Sequence, residues 1–172
     1  MVMKILGIDI STTTIGYSIV ENERILDLGF IDIKKHKTIK DKVIHTYETL
    51  QELKYFNDIE HIIVEDSLSG FARGMTSMQT IIKLSKINGV LCFLLEWMTN
   101  IHIELVNPNT LRKTVFGKAR MKGIKSKDYV KMKIEEMYDT SEWVKYTSRG
   151  NWDKRNIDSY DALVCSLYHT KK

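Results

Sequence analysis

The stretch Lys4–Gly16, KILGIDISTTTIG, decides the fold. Ile5, Leu6, Ile8 and Ile10 are apolar and largely β-branched, which suits a buried strand. Asp9 stands in the middle of that strand, a carboxylate that burial penalises unless a cation or hydrogen bonds compensate it. The hydroxyl run Ser11 to Thr14 and then Gly16 read as a tight polar turn. A strand acid ahead of such a turn is either presented to a ligand or merely exposed at a strand end. The stretch alone leaves both readings open.

Outward from it, Ile15 to Glu21 and Arg24 to Ile33 read as a second and a third strand, linked by the short polar turn Glu21-Asn22-Glu23. Three consecutive strands with short links make an antiparallel meander, since parallel neighbours need long crossovers. Thr38 to Phe56 has Val43, Ile44, Tyr47, Leu50 and Leu53 at helical spacing. His61 to Glu65 is a short buried strand ending in Glu65-Asp66. A Ser/Gly-rich loop follows, then a long helix from Thr76 to Met98 and a strand from Ile101 to Val106. Pro108, the only proline, fits the first turn of a helix that runs to Phe116. Further helices are predicted over Ser126–Tyr138, with Ser126 as cap, and over Ile157–Tyr168. The fold class is α/β, a mixed sheet of three antiparallel strands and two further strands flanked by helices, in a single domain over residues 1–172.

Composition narrows the setting. Hydrophobic residues are 43% and charged residues 28% of the 172, ordinary for a globular chain, and no apolar run reads as the roughly 20 residues of a membrane span. No signal peptide is expected. Cys92 and Cys165 sit in apolar stretches as buried thiols of a reducing compartment, with no zinc pattern. The net charge of +4 is unevenly spread: residues 112–133 carry nine bases against the single acid Asp128, so the remainder is net negative. Such a block is a phosphate-binding surface or a solvated face.

Four acids stand out by position: Asp9 on the first strand, Glu65 ending the fourth, and Asp158 and Asp161 in the last helix. The spacing of three puts the last two on one helical face, about 5–6 Å apart at Cβ. Like charges so close need a counter-charge or a shared proton. A divalent cation resolves the conflict, and carboxylates from two strands and a helix are what a two-metal phosphoryl-transfer site requires. Taken singly, each acid reads better as structural than as catalytic, the helix pair as favouring the helix dipole, and it is their combination with the order of elements that shifts the balance.

Together, Gly7-Ile8-Asp9 with Gly16-Tyr17, Val64-Glu65 with Ala72-Arg73-Gly74, and Asp158 with Asp161-Ala162-Leu163 and His169 resemble the RuvC-like Holliday-junction resolvases of the RNase H-like superfamily. The resemblance spans almost the whole length in order. Leu111 to Gly117 resembles the family's VKxxVxG stretch, with Arg112 at its lysine. The family resemblance implies a homodimeric, Mg²⁺-dependent endonuclease, Mn²⁺ substituting, that nicks opposed strands of a four-way junction and leaves 5′-phosphate and 3′-hydroxyl ends. Asp9, Glu65, Asp158 and Asp161 carry the metals by matching position. The DNA contacts expected are Phe71, Arg73, Arg112, Lys113, Lys118, Arg120, Lys122, Lys125 and Lys127, the basic ones neutralising phosphates without reading bases. Branched DNA and a second copy are the partners, no membrane is involved, and the setting is the cytoplasm of a bacterium or a phage- or virus-infected cell.

The chain departs from the family pattern in places. Ile10-Ser11 replaces Pro-Gly after the first acid, and Leu68 stands where an aromatic is usual, with Phe71 three residues later. Lys125 and Lys127 compete for one position. The tract Trp143 to Arg155 looks like an insertion that holds DNA or the partner subunit. These differences point to a divergent member with a wider range of branched substrates. Rival readings are an RNase H-like nuclease acting on flaps, branched DNA or RNA–DNA hybrids, a junction-binding protein without catalysis, and a sugar-kinase-like ATPase. The last is disfavoured by the short chain and the lack of a second Gly-rich phosphate motif.

Overall fold

The computed structural model describes residues 3–66 and 77–172. Its strands are β1 (Lys4–Ile10), β2 (Thr14–Glu21), β3 (Arg24–Asp32), β4 (Ile59–Glu65) and β5 (Ile103–Val106). They form one sheet in the order β3-β2-β1-β4-β5. The first three are antiparallel, as the short links require, while β4 runs parallel to β1 and β5 parallel to β4. Asn22 and Glu23 take positive φ, the two-residue turn that matches strand twist.

The helices are α1 (Ile39–Gln51), α2 (Met78–Thr99), α3 (Pro108–Phe116), α4 (Ser126–Met137) and α5 (Asn156–Lys171). Alternation along β1 assigns them to faces. Leu6, Ile8 and Ile10 pack with Val43, Tyr47 and Leu50 of α1 and with Leu84, Ile87 and Leu91 of α2. Ile5, with Val20 and Ile63, packs on the other face against Leu111 of α3, Val130 of α4 and the apolar residues of α5. Gly7 and Asp9 share that second face.

Several boundaries differ from expectation. α1 stops at Gln51, and Leu53 and Phe56 are held in tight turns by i→i−3 bonds instead. Ser126 is the first residue of α4 rather than its cap. Lys125 occupies the cap position and makes no side-chain cap bond. Cys165 is buried but Cys92 only half-buried, and both thiols are free. α2, at 22 residues, is by length and composition apolar enough to cross a bilayer, contrary to the expectation that no apolar run is that long. One of its faces lies in the core.

The tract Trp143–Arg155 folds back on its own domain. Tyr146 and Trp152 form a bridge, Lys145 and Arg155 lie over the Phe30 ring of β3, and Lys131 of α4 lies over Trp152. Arg155 is also paired with Asp153 and Asp32. Trp143, Lys145, Trp152 and Arg155 thus make contacts within the chain, while Tyr146, Arg149 and Lys154 are exposed.

Candidate active site

The site lies where β1 and β4 end, under the first turns of α5. Two glycines set its geometry. A Cβ at Gly16 would sit 1.9 Å from the Asp158 carbonyl oxygen, and one at Gly7 would sit 2.1 Å from that of Ala162. Without side chains there, α5 lies directly on the sheet, and the Ser18 hydroxyl locks it by donating to the Ala162 carbonyl at 2.8 Å. Gly16 is the cross-strand partner of Asp9, so the helix segment seated on Gly16 delivers Asp158 beside Asp9. Glu65 comes alongside from β4, one residue past the registered pair Ile8–Val64.

The turn after β1 closes on itself. The Ser11 amide and hydroxyl both donate to the Thr14 carbonyl, and the Thr14 amide donates to Ser11 Oγ. The hydroxyl run is therefore a strand connection. Lys42 was not foreseen. Buried on α1, it donates to the Thr12 and Ile33 carbonyls at 2.9 and 2.7 Å and pins this turn to β3. Its signal in the sequence, one lysine on a helix among other lysines, is indistinguishable from a surface charge.

All four predicted acids are buried together. Burial, then the charges of Glu65, Asp161 and Asp158, hold the Asp9 carboxyl well above the usual carboxylate range. Glu65 is pushed up to about 8 by burial and Asp161, against the pull of Arg112. Burial also raises Asp158 and Asp161, opposed by Lys127 at the first and by Arg112 and Lys127 at the second. Two cations enter this group. Arg112 Nη2 of α3 donates to Asp161 Oδ1 at 3.2 Å and lies 3.9 Å from Glu65 Oε2. Lys127 Nζ of α4 reaches Asp158 Oδ1 at 3.4 Å.

Four buried carboxyl groups face two cations among the described residues, crowded enough that burial and mutual repulsion favour their protonated forms, and hard oxygen donors of this kind fit Mg²⁺ or Mn²⁺, which would take the place of those protons. Even so, among the described residues no three acid, histidine or cysteine side chains are disposed to hold an ion. The acids converge electrostatically but are not drawn into one coordination sphere.

The other predicted contacts divide. Lys113, Lys118, Arg120, Lys122 and Lys125 are exposed along the end of α3, the following loop and the start of α4. Lys127 is exposed at the same helix start and reaches Asp158 as well. Arg112 is turned inward, its side chain 12% accessible. Phe71 and Arg73 lie outside the described residues, as does Leu68. His169 stacks on His61 at the far end of α5, away from the acids.

Residues 5–146 match the family described as Crossover junction endodeoxyribonuclease RuvC. The chain is 25% identical over 175 residues to the RuvC of Aliarcobacter butzleri, covering 99% of each chain. It is 28% identical over 122 residues to that of Prochlorococcus marinus, covering 69% of this chain and 73% of the other. Among solved structures it resembles Thermus thermophilus RuvC in complex with Holliday junction substrate, with a TM-score of 0.67, 13% identity and coverage of 98% and 95%. The yeast mitochondrial Holliday junction resolvase Ydc2 gives a TM-score of 0.66 at 15% identity, covering 98% of this chain and 78% of the other.

Proposed function

The chain belongs to the RuvC family of crossover junction endodeoxyribonucleases, and from that premise we propose how its own residues cut a four-way junction. It is a junction-resolving endonuclease with an RNase H-like fold. The catalytic residues in this reading are Asp9, Glu65, Asp158 and Asp161, holding Mg²⁺, with Mn²⁺ able to substitute. The observation that carries it is the meeting of these four acids from β1, β4 and α5 in one buried cluster, where burial and mutual repulsion raise their carboxyl groups in a way that a bound cation would relieve. When bound, the metal supplies an activated water and neutralises the leaving oxygen. The chain's part is to orient oxygen donors from a rigid sheet and helix and to bring the phosphate in line.

Lys113, Lys118, Arg120, Lys122 and Lys125 form the phosphate track leading to the site, with Lys127 and Arg112 at its inner end. Phe71 and Arg73 complete the set of DNA contacts. One domain over residues 1–172 supplies all of it. Two free thiols suit a reducing cytoplasm, bacterial or phage-infected.

Paired nicking calls for two sites, and a homodimer is part of this reading. Its support is the outer face of α2, where Met78, Ile82, Val90, Phe93 and Trp97 are exposed opposite the core-facing Leu84, Leu91 and Leu95. An exposed apolar stripe of this kind, broken by Lys86, suits an interface. Gly89 lies in the same stripe with open space where its Cβ would be, which allows a second helix to approach closely.

The test is cleavage of a mobile four-way junction beside flap, duplex and RNA–DNA hybrid substrates, with and without Mg²⁺. Symmetric paired nicks confined to the junction and dependent on Mg²⁺ are expected. Efficient hybrid cleavage would favour a different RNase H-like activity. Asp9→Asn should abolish cutting while junction binding persists, and retained cutting would remove the basis of the assignment.

A further inference from the structure

We infer that Arg112 and Lys127 are the resident counter-ions of the acid cluster, and that metal loads fully only when DNA phosphates draw these cations away. The inference rests on the nuclease reading and adds a coupling to it. The guanidinium of Arg112 reaches acids from two different elements, Asp161 of α5 and Glu65 of β4. Lys127 holds a third, Asp158. Only Asp9 has neither cation in contact by these pairings. A metal must collect the same oxygens, so ion and cations compete for one set of donors.

Arg112 is also built to be drawn off. Its Nε–H is buried without a hydrogen-bond partner among the described residues, which is costly for a charged donor, so a shift of the side chain toward an anionic oxygen would satisfy a group left unpaired in place. Lys127 is 66% exposed on the first turn of α4, beside the basic track. A phosphate at the inner end of that track offers both cations a new partner, and their departure turns a partly compensated cluster into one with full affinity for divalent ions. The same reasoning accounts for the lack of an ion-gripping arrangement among acids that otherwise sit together. Linkage makes the coupling reciprocal: DNA raises ion affinity by the factor by which the ion raises DNA affinity.

The experiment needs no cleavage. Free Mn²⁺ is followed by its electron paramagnetic resonance signal as it is titrated with the DNA-free protein. Arg112→Met should bind Mn²⁺ about tenfold or more tightly than wild type, because a unit charge within contact distance of two ligands is removed. Arg112→Lys, which keeps the charge, should stay nearer wild type. Lys127→Met lies at an exposed position where folding is not at stake, and should show a smaller rise of about threefold. In parallel, Ca²⁺ should tighten junction binding by wild type more than by Arg112→Met, read by fluorescence anisotropy. If neither Met variant binds Mn²⁺ more tightly than wild type, the inference is overturned. Wild-type cleavage of the junction in Mg²⁺ then keeps the nuclease assignment standing. Conversely, tighter Mn²⁺ binding by the variants with no wild-type cleavage would uphold the counter-ion role and sink the assignment.

Discussion

Glu65 keeps its proton far up the pH scale because burial and the Asp161 charge oppose its ionisation, with Arg112 only partly offsetting them. An acid whose folded pKa is raised, here from 4.5 to about 8, binds more protons folded than unfolded between those values. Stability is therefore lost as pH climbs through that window. Glu65→Gln removes the liability. With chelator present, its melting temperature should exceed that of wild type by about 2–4 °C at pH 8.5, a gain of about 1 kcal/mol, and the gap should close by pH 5. A variant no more stable at the higher pH would mean that Glu65 is adequately paired in the absence of metal. The four acids were legible as candidates because a carboxylate among β-branched or helical apolar residues conflicts with its surroundings. Arg112 was legible only as a base beside the site. Its turn inward onto Asp161 depends on how α3 lies against α5.

At the scale of elements, α5 carries two of the four acids and its placement depends on the absence of side chains below it. Gly16→Ala would set a Cβ 1.9 Å from the Asp158 carbonyl, so helix or strand must move. Overpacking of this kind costs about 1–3 kcal/mol, to be read as a lower urea midpoint. Cleavage should fall by more than the folded fraction does, since the displaced residue is itself a site acid. Unchanged cleavage by the folded variant would show that the helix has slack. Helix and strand identities followed from periodicity, and the Asn107–Pro108 start of α3 came out as read. The ends were less legible. Lys125 rather than Ser126 precedes α4, and α1 ends five residues before Phe56. Such boundaries depend on which backbone groups find tertiary partners rather than on local preference. For Trp143–Arg155 the sequence shows a run of aromatics and bases but not that Lys145 and Arg155 lie over the Phe30 ring.

For the whole molecule, the exposed face of α2 is the feature least explained by a monomer. Trp97 is 74% accessible and stacks with Phe93, itself 65% accessible. If this stripe is where two copies meet, Trp97→Glu combined with Phe93→Glu should convert the dimer to monomer in sedimentation velocity and replace paired nicks with single ones. The stability of the monomer should change little, because neither side chain supports the core. A double variant that still sediments as a dimer would move the interface elsewhere.

What the chain determined by itself was the order of strands and helices, the meander, the acid quartet and the basic run that follows α3, all of which are patterns of polarity and spacing. Those patterns were enough to bring a family likeness into view. Only the tertiary structure decided that Gly7 and Gly16 let α5 rest on β1 and β2, that Lys42 ties down the turn after β1, and that Arg112 and Lys127 stand among the acids. The physical reason is one of distance. Periodicity is a property of neighbours along the chain, whereas a close approach or an ion pair joins residues that sequence separates by up to about 150 positions, as Gly7 and Ala162 show. Which cation meets which carboxylate is settled by packing, and the charge of the site in turn depends on that.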